Sequence, residues 1–235
     1  MWYETLAAQF TKTFITSSRY KLFLEGLGNT LIITVFASIF GAILGVIIAM
    51  IKVFCTRTKK SHFIYKAIDW LCNVYLTVIR GTPMVVQLLI MYYIAFVSFK
   101  SALPVAIIGF SINSSAYVAE IARAGIMAID PGQTEAGRSL GLSYVKTMWK
   151  IVFPQAFKNI LPALGNELIT LFKDTSIASF ITVVDLARAG ALVRTRTMDP
   201  YFSLLSVAAV YLIFVMFLTF LLGKLERRLR KSDRS

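Results

Sequence analysis

Residues 29–53, NTLIITVFASIFGAILGVIIAMIKV, form a run of 25 residues with one formal charge, Lys52. A helix rises about 1.5 Å per residue and the hydrocarbon layer is about 30 Å thick, so roughly 20 apolar residues suffice to cross it. The run therefore reads as a membrane span. Within it Ala37, Gly41, Gly45 and Ala49 recur every fourth residue. Such a smooth stripe lets a second helix approach closely where lipid offers no hydrophobic drive for association.

The rest of the chain extends the same pattern. Of 235 residues 57% are hydrophobic and only 16% charged, with a mean hydropathy of +0.70, whereas a soluble domain carries about 25% charged residues. Four further apolar stretches cover residues 68–99, 104–129, 160–184 and 201–223. The expected fold is all-α: a polytopic membrane protein with five transmembrane helices. In the second stretch Arg80-Gly81-Thr82-Pro83 interrupts the helix, because proline removes a donor and clashes with the preceding turn. The carbonyls freed there must face protein or a polar cavity.

A net charge of +13 raises the idea of nucleic acid, but the Lys and Arg residues cluster beside apolar runs, which is how topology is encoded. With the N-terminus outside, 15 positive residues fall on the inner side: Lys52, Arg57, Lys59, Lys60 and Lys66; Arg138, Lys146, Lys150 and Lys158; then Lys224, Arg227, Arg228, Arg230, Lys231 and Arg234. Seven fall outside: Lys12, Arg19, Lys21, Lys100, Arg188, Arg194 and Arg196. The bias predicts an N-out, C-in arrangement in a cell membrane, without nucleic-acid partners. Residues 1–27, with Glu4 and Glu25 and no cleavage site, read as an interfacial amphipathic segment through Trp2, Tyr3, Phe10, Phe14, Tyr20 and Phe23. Residues 28–225 form the transmembrane domain, and 226–235 a basic cytoplasmic tail. Cys55 and Cys72 lack framework spacing and are expected as free thiols with no metal site. His62 sits in a basic loop and reads as solvated.

Between the third and fourth stretches lies a polar insert, cytoplasmic in this topology, at residues 130–156. Asp130 can cap a helix, Pro131 fits its first position, and Gln133 stands where a capping-box side chain belongs. A short helix is expected over 131–140, ended by Gly141. Ser143 can cap a second helix bearing Val145, Met148, Trp149 and Val152, with Pro154 marking a turn back to the membrane. Two short helices at an angle make a rigid knob, with Glu135 exposed and Ala136 and Gly137 keeping its surface slender.

The run Gln133-Thr134-Glu135-Ala136-Gly137-Arg138-Ser139-Leu140-Gly141, followed by Ile151 and Pro154, resembles the cytoplasmic EAA coupling loop of binding-protein-dependent ABC importer permeases. Gly137 stands where that family usually has alanine. Residues 80–87, 116–126 and 173–176 resemble the polar amino-acid branch of the same family, and the likeness covers residues 25–225. It implies an inner-membrane permease subunit of the bacterial cytoplasmic membrane, coupling to its ATPase through Gln133, Glu135, Ala136, Gly137, Arg138, Leu140, Gly141 and Pro154. Two cytosolic ATPase subunits, a second permease chain (identical or homologous) and an external substrate-binding protein are the implied partners. ATP and magnesium would belong to the ATPase, since this chain has no glycine-rich phosphate loop. It is expected to be no enzyme, to have no catalytic residues and to bind no cofactor itself.

A polar or charged amino acid stripped of bulk water needs partners for both its carboxylate and its ammonium. Arg80 or Arg123 could meet the anion and Glu120, Glu167 or Asp174 the cation, with Thr82, Gln87, Asn113, Asn166 and Ser176 as neutral groups. Glu120 and Arg123, three apart on one helical face, could instead pair with each other, and Lys173 and Asp174 could hold span four. The competing readings are an amino-acid secondary transporter, which has little use for the knob, and a non-transporting scaffold, which has little use for polar residues inside spans.

Overall fold

The computed structural model describes residues 2–57 and 63–232. His62 lies outside the described residues, as do Lys59, Lys60 and Arg234. Among the described residues the chain is helical throughout: α1 (Trp2–Phe10), α2 (Tyr20–Arg57), α3 (Phe63–Gly81), α4 (Met84–Ile90), α5 (Ala102–Met127), α6 (Pro131–Ser139), α7 (Tyr144–Thr147), α8 (Phe153–Asp174), α9 (Leu186–Thr197) and α10 (Pro200–Ser232). Three helices are long and apolar enough to cross a membrane, and five spans result if α3 with α4 and its continuation, and the helical run 144–197, each count as one broken span. Each of the five stretches read from the sequence falls on one of these spans. Of the apolar window in α5, 56% is buried within the chain, against 6% in α10. Hence α5 is the most enclosed of the three long helices, and α10 presents most of its surface outward, as its nearly all-apolar sequence leads one to expect.

Helix α2 begins at Tyr20, nine residues before the first apolar run. Gly26, within that helix, is placed where a Cβ would come within 2.6 Å of the Asp185 carbonyl oxygen. The glycine is used for close approach, and packing overrides its poor helix propensity. Ahead of α2 the backbone turns through Ser17 and Ser18 at φ 55° and 52°. Phe14 packs its ring 5.2 Å from Phe23 and 6.4 Å from Phe202.

Contacts divide the chain into two units, 1–37 with 83–110 and 169–219, and 38–82 with 111–168 and 220–235. The first unit has a core of Ile33, Leu88, Val105, Phe110 and Ile181 and a second cluster of Phe23, Leu186, Val193 and Val207. Gly109 admits the Leu88 side chain, whose Cδ2 would lie 2.6 Å from a Cβ there. In the second unit the small-residue stripe does what its spacing foretold. A Cβ on Gly41 would sit 3.0 Å from Ser114 Cβ, and one on Gly45 2.6 Å from Val118 Cβ, so α2 lies backbone-close against α5. Ala49, Ala122, Ile126, Val152, Ala156 and Ile160 continue the core below.

The expected interruption at Pro83 is present. Helix α3 stops at Gly81, and Pro83 is extended (ψ 134°) at the N-cap of α4. One carbonyl released by the break, that of Val78, accepts the Thr82 hydroxyl at 2.8 Å. A polar side chain thus satisfies the backbone where the helix ladder fails.

Candidate functional site: a helical knob and a polar cleft

The knob is built almost wholly from local signals. The Asp130 carboxylate accepts from Gly132 N at 2.8 Å, with Pro131 in the first turn. At the other end Leu142 N donates to Gly137 O (3.1 Å) and Gly141 N to Arg138 O (3.0 Å), with Gly141 at φ +80°. This is the six-to-one and five-to-two bonding of a Schellman stop, which requires the left-handed residue that glycine supplies. Ser143 then caps α7 by accepting from Lys146 N at 3.3 Å. Glu135, Ala136, Arg138 and Leu140 are exposed, Leu140 at 81%, so the knob offers an acid, a base and an apolar tip at one end.

Three expectations for the knob are corrected. Gly137 does not thin the outer surface; it is buried, and a Cβ there would lie 2.6 Å from Thr147 Cγ2 and 3.0 Å from Ile151 Cδ1. Its role is to let α6 press against the following helix. Gln133 places its side-chain oxygen on Gln155 Nε2 at 3.3 Å, which ties α6 to α8 in place of a capping box. Pro154 makes no turn. It stands second in α8, preceded by a π-helical turn over Met148–Val152. A proline is tolerated in the first turn of an α-helix, and the wider turn before it leaves room for the ring. The second helix of the knob, from Tyr144, therefore runs without a break into the spanning helix, and α6 is braced against it through Gly137 and Gln133.

Of the residues proposed for a substrate path, Arg80, Glu120 and Arg123 come together in the second unit. They line an open cleft of about 860 Å³ with Lys52, Asp69, Asn73, Leu76 and Thr77. Glu120 and Arg123 are paired, Arg123 Nε donating to Glu120 Oε2 at 3.2 Å and a second guanidinium nitrogen to Oε1. The Arg80 guanidinium lies 5.5 Å above the Tyr117 ring, within cation–π range. Lys52, almost fully buried, donates to Asn73 Oδ1 and meets Asp69 Oδ1 at 3.4 Å, and Asn73 donates to Asp69 Oδ2 at 2.9 Å.

The Lys52–Asp69–Asn73 group was not among the sequence candidates. Lys52 reads as one of the inner positive charges, yet it is the single charge inside the first run. Asp69, Asn73, Thr77 and Arg80, spaced four, four and three apart on α3, form a polar face that helical periodicity alone could have flagged.

Elsewhere in that unit Glu167 accepts from Ser114 Oγ at 3.1 Å and lines a largely apolar groove with Val118, Leu164 and Leu168. Asn166 is exposed and donates to Pro162 O at 3.2 Å. Gln87 and Ser176 belong to the first unit, on α4 and the 3-10 turn Thr175–Ile181, which pack against each other. Lys173 and Asp174 are exposed at the end of α8.

Comparison with known proteins places these features in context. A family described as "Binding-protein-dependent transport system inner membrane component" matches residues 41–231. The arginine transport system permease protein ArtQ of Bacillus subtilis is 39% identical over 213 residues, covering 89% of this chain and 93% of its own. The L-cystine transport system permease protein TcyB of the same organism is 39% identical over 168 residues, 70% of this chain and 71% of its own. Among solved structures, a crystal structure of an amino acid ABC transporter with histidines superposes with a TM-score of 0.80 at 40% identity, over 92% of this chain and 98% of that one.

Proposed function

The chain belongs to the binding-protein-dependent transport system inner-membrane component family, and from that premise we propose how its two polar features divide the work of an ATP-driven importer for polar or charged amino acids. It is the permease subunit, a multi-pass membrane chain and not an enzyme. The reading rests above all on relatives at 39% identity that are named as arginine and cystine permeases. Two cytosolic ATPases, which bring ATP and magnesium, a second permease chain and an external binding protein complete the assembly, in an N-out, C-in topology in the bacterial cytoplasmic membrane.

The knob is the coupling element. Glu135, Arg138 and Leu140 meet the ATPase, the acid and base through charge-assisted hydrogen bonds and the leucine as an apolar anchor. Gly137, Gly141 and Gln133 keep the knob stiff, so displacement at its tip passes along the path through Pro154 into α8. A slack loop would absorb that motion.

The cleft belongs to the solute path. Arg80, which lies over the Tyr117 ring and shares the cleft with Glu120, is placed to meet a substrate carboxylate. Glu120, whose charge is shared with Arg123, can offer part of it to a passing ammonium. Thr82, Asn166 and Glu167 of the second unit are further polar groups for the solute, as are Gln87 and Ser176 of the first. Partial occupation by internal partners keeps binding weak enough for release, which a transporter needs.

The decisive experiment compares uptake and ATP hydrolysis in the reconstituted complex carrying Glu135→Arg. Uptake should fall roughly tenfold or more, the scale of reversing one charge at a docked interface, while the complex still assembles. Normal uptake in that variant would remove the knob from the coupling path.

A further inference from the structure

A second cavity lies at the base of the knob. It is a half-open hollow of about 530 Å³, counting space that opens to the surface, and is lined by Met50, Val53, Phe54, Ile126, Tyr144, Val145, Met148, Trp149 and Phe153. Three observations bear on what fills it.

Its rear wall, Met50, Val53 and Phe54, is the last turn and a half of a span that ends at Cys55, so the cavity stands where hydrocarbon gives way to headgroups. Its front wall is an exposed apolar stripe: Val145 is 58% and Trp149 55% exposed, and the Trp149 ring packs 5.3 Å from that of Phe153. Beside that stripe Lys146 and Lys150 are exposed one turn apart. An apolar face with tryptophan at its edge and lysines alongside is the pattern of a helix lying in the membrane interface. The Tyr144 hydroxyl is buried in the wall without a hydrogen-bond partner, and a buried hydroxyl left so is costly.

We propose that this cavity is a site for one anionic phospholipid of the inner leaflet. An acyl chain lies along Met50, Phe54, Met148 and Trp149, and the phosphate is met by Lys146 and Lys150. A glycerol-ester or phosphate oxygen gives the Tyr144 hydroxyl its acceptor. Two lysines beside the headgroup favour an anionic over a zwitterionic lipid by roughly tenfold or more. The lipid would seat the base of the knob on the bilayer while the tip, with Leu140 and Glu135, remains available to a protein.

The test uses the assembled complex in nanodiscs containing phosphatidylglycerol or phosphatidylcholine with a photoactivatable acyl chain, followed by mass-spectrometric mapping of the adducts. Phosphatidylglycerol should label the peptides holding residues 50–54 and 144–153 several-fold more than phosphatidylcholine does. Lys146→Gln with Lys150→Gln, both at the surface, should bring the two lipids level without loss of assembly. Equal labelling by both lipids in the unmutated protein would overturn the anionic site. Absence of lipid adducts there, as when a protein partner covers the cavity, would overturn it as well. Labelling is read without transport, so the result stands apart from the assignment of the importer.

Discussion

The knob and the cleft differ in how far apart in sequence their parts lie. The bonds described for the knob join residues between 130 and 155: caps, a stop, a glycine contact and the Gln133–Gln155 side-chain pair. The cleft gathers Lys52, residues 69–80 and residues 120–123 from three helices. The knob is thus made rigid by local chemistry, and the cleft is made polar by tertiary packing. A rigid element suits the transmission of force, whereas a set of partly satisfied charges suits transient contact with solute.

That contrast can be broken in graded steps. The largest effect is expected from Gly137→Leu. The added side chain meets Thr147 and Ile151, and overpacking costs about 1–3 kcal/mol. Uptake should collapse and the purified complex should melt at lower temperature; unchanged melting and transport would mean that the two helices need not be pressed together. Next comes Lys52→Met in the cleft. It removes the cation from Asp69 and Asn73 at a cost of about 1.5–3 kcal/mol for a charged hydrogen bond, at the lower end because Asp69 is partly exposed. Here the transport KM should rise while the ratio of ATP hydrolysed to solute carried stays constant, and a changed ratio would erase the division of labour between the two regions.

Asp130→Ala deletes a cap worth about 1 kcal/mol. Faster hydrogen exchange should appear at the amides of 131–133 and nowhere in α5. The smallest effect is expected from Glu167→Gln, which keeps the Ser114 hydrogen bond and removes only the charge. Uptake should weaken by a few-fold, most for basic amino acids, which carry a second cation; identical kinetics for every amino acid would take Glu167 off the solute path.

The same contrast explains what could be read in advance. Asp130, Pro131, Gly141 and Ser143 declare their roles within a few residues of where they act, and the five spans follow from hydropathy. Gly137 and Pro154 were legible as landmarks but misleading as to direction. Whether a glycine faces out or in depends on the packing of the next helix, and whether a proline turns the chain depends on the turn before it. Gly26 offers no signal of its own, since its partner is Asp185, far along the chain. The cleft was legible in part, because Arg80, Glu120 and Arg123 are costly inside spans and invite a role. Lys52 was hidden by its place at the edge of a run, where a positive residue has a sufficient topological explanation.

The π-helical turn over Met148–Val152 carries a consequence for phase. Each residue of an α-helix advances the azimuth by about 100°, so the extra residue accommodated in that turn sets the angle at which the knob stands out from the shaft of α8. Deleting one residue from 148–152 would swing Leu140 and Glu135 around the shaft by about that angle while leaving every cap and every span intact. The crank would still turn, but its handle would point away from the hand that drives it.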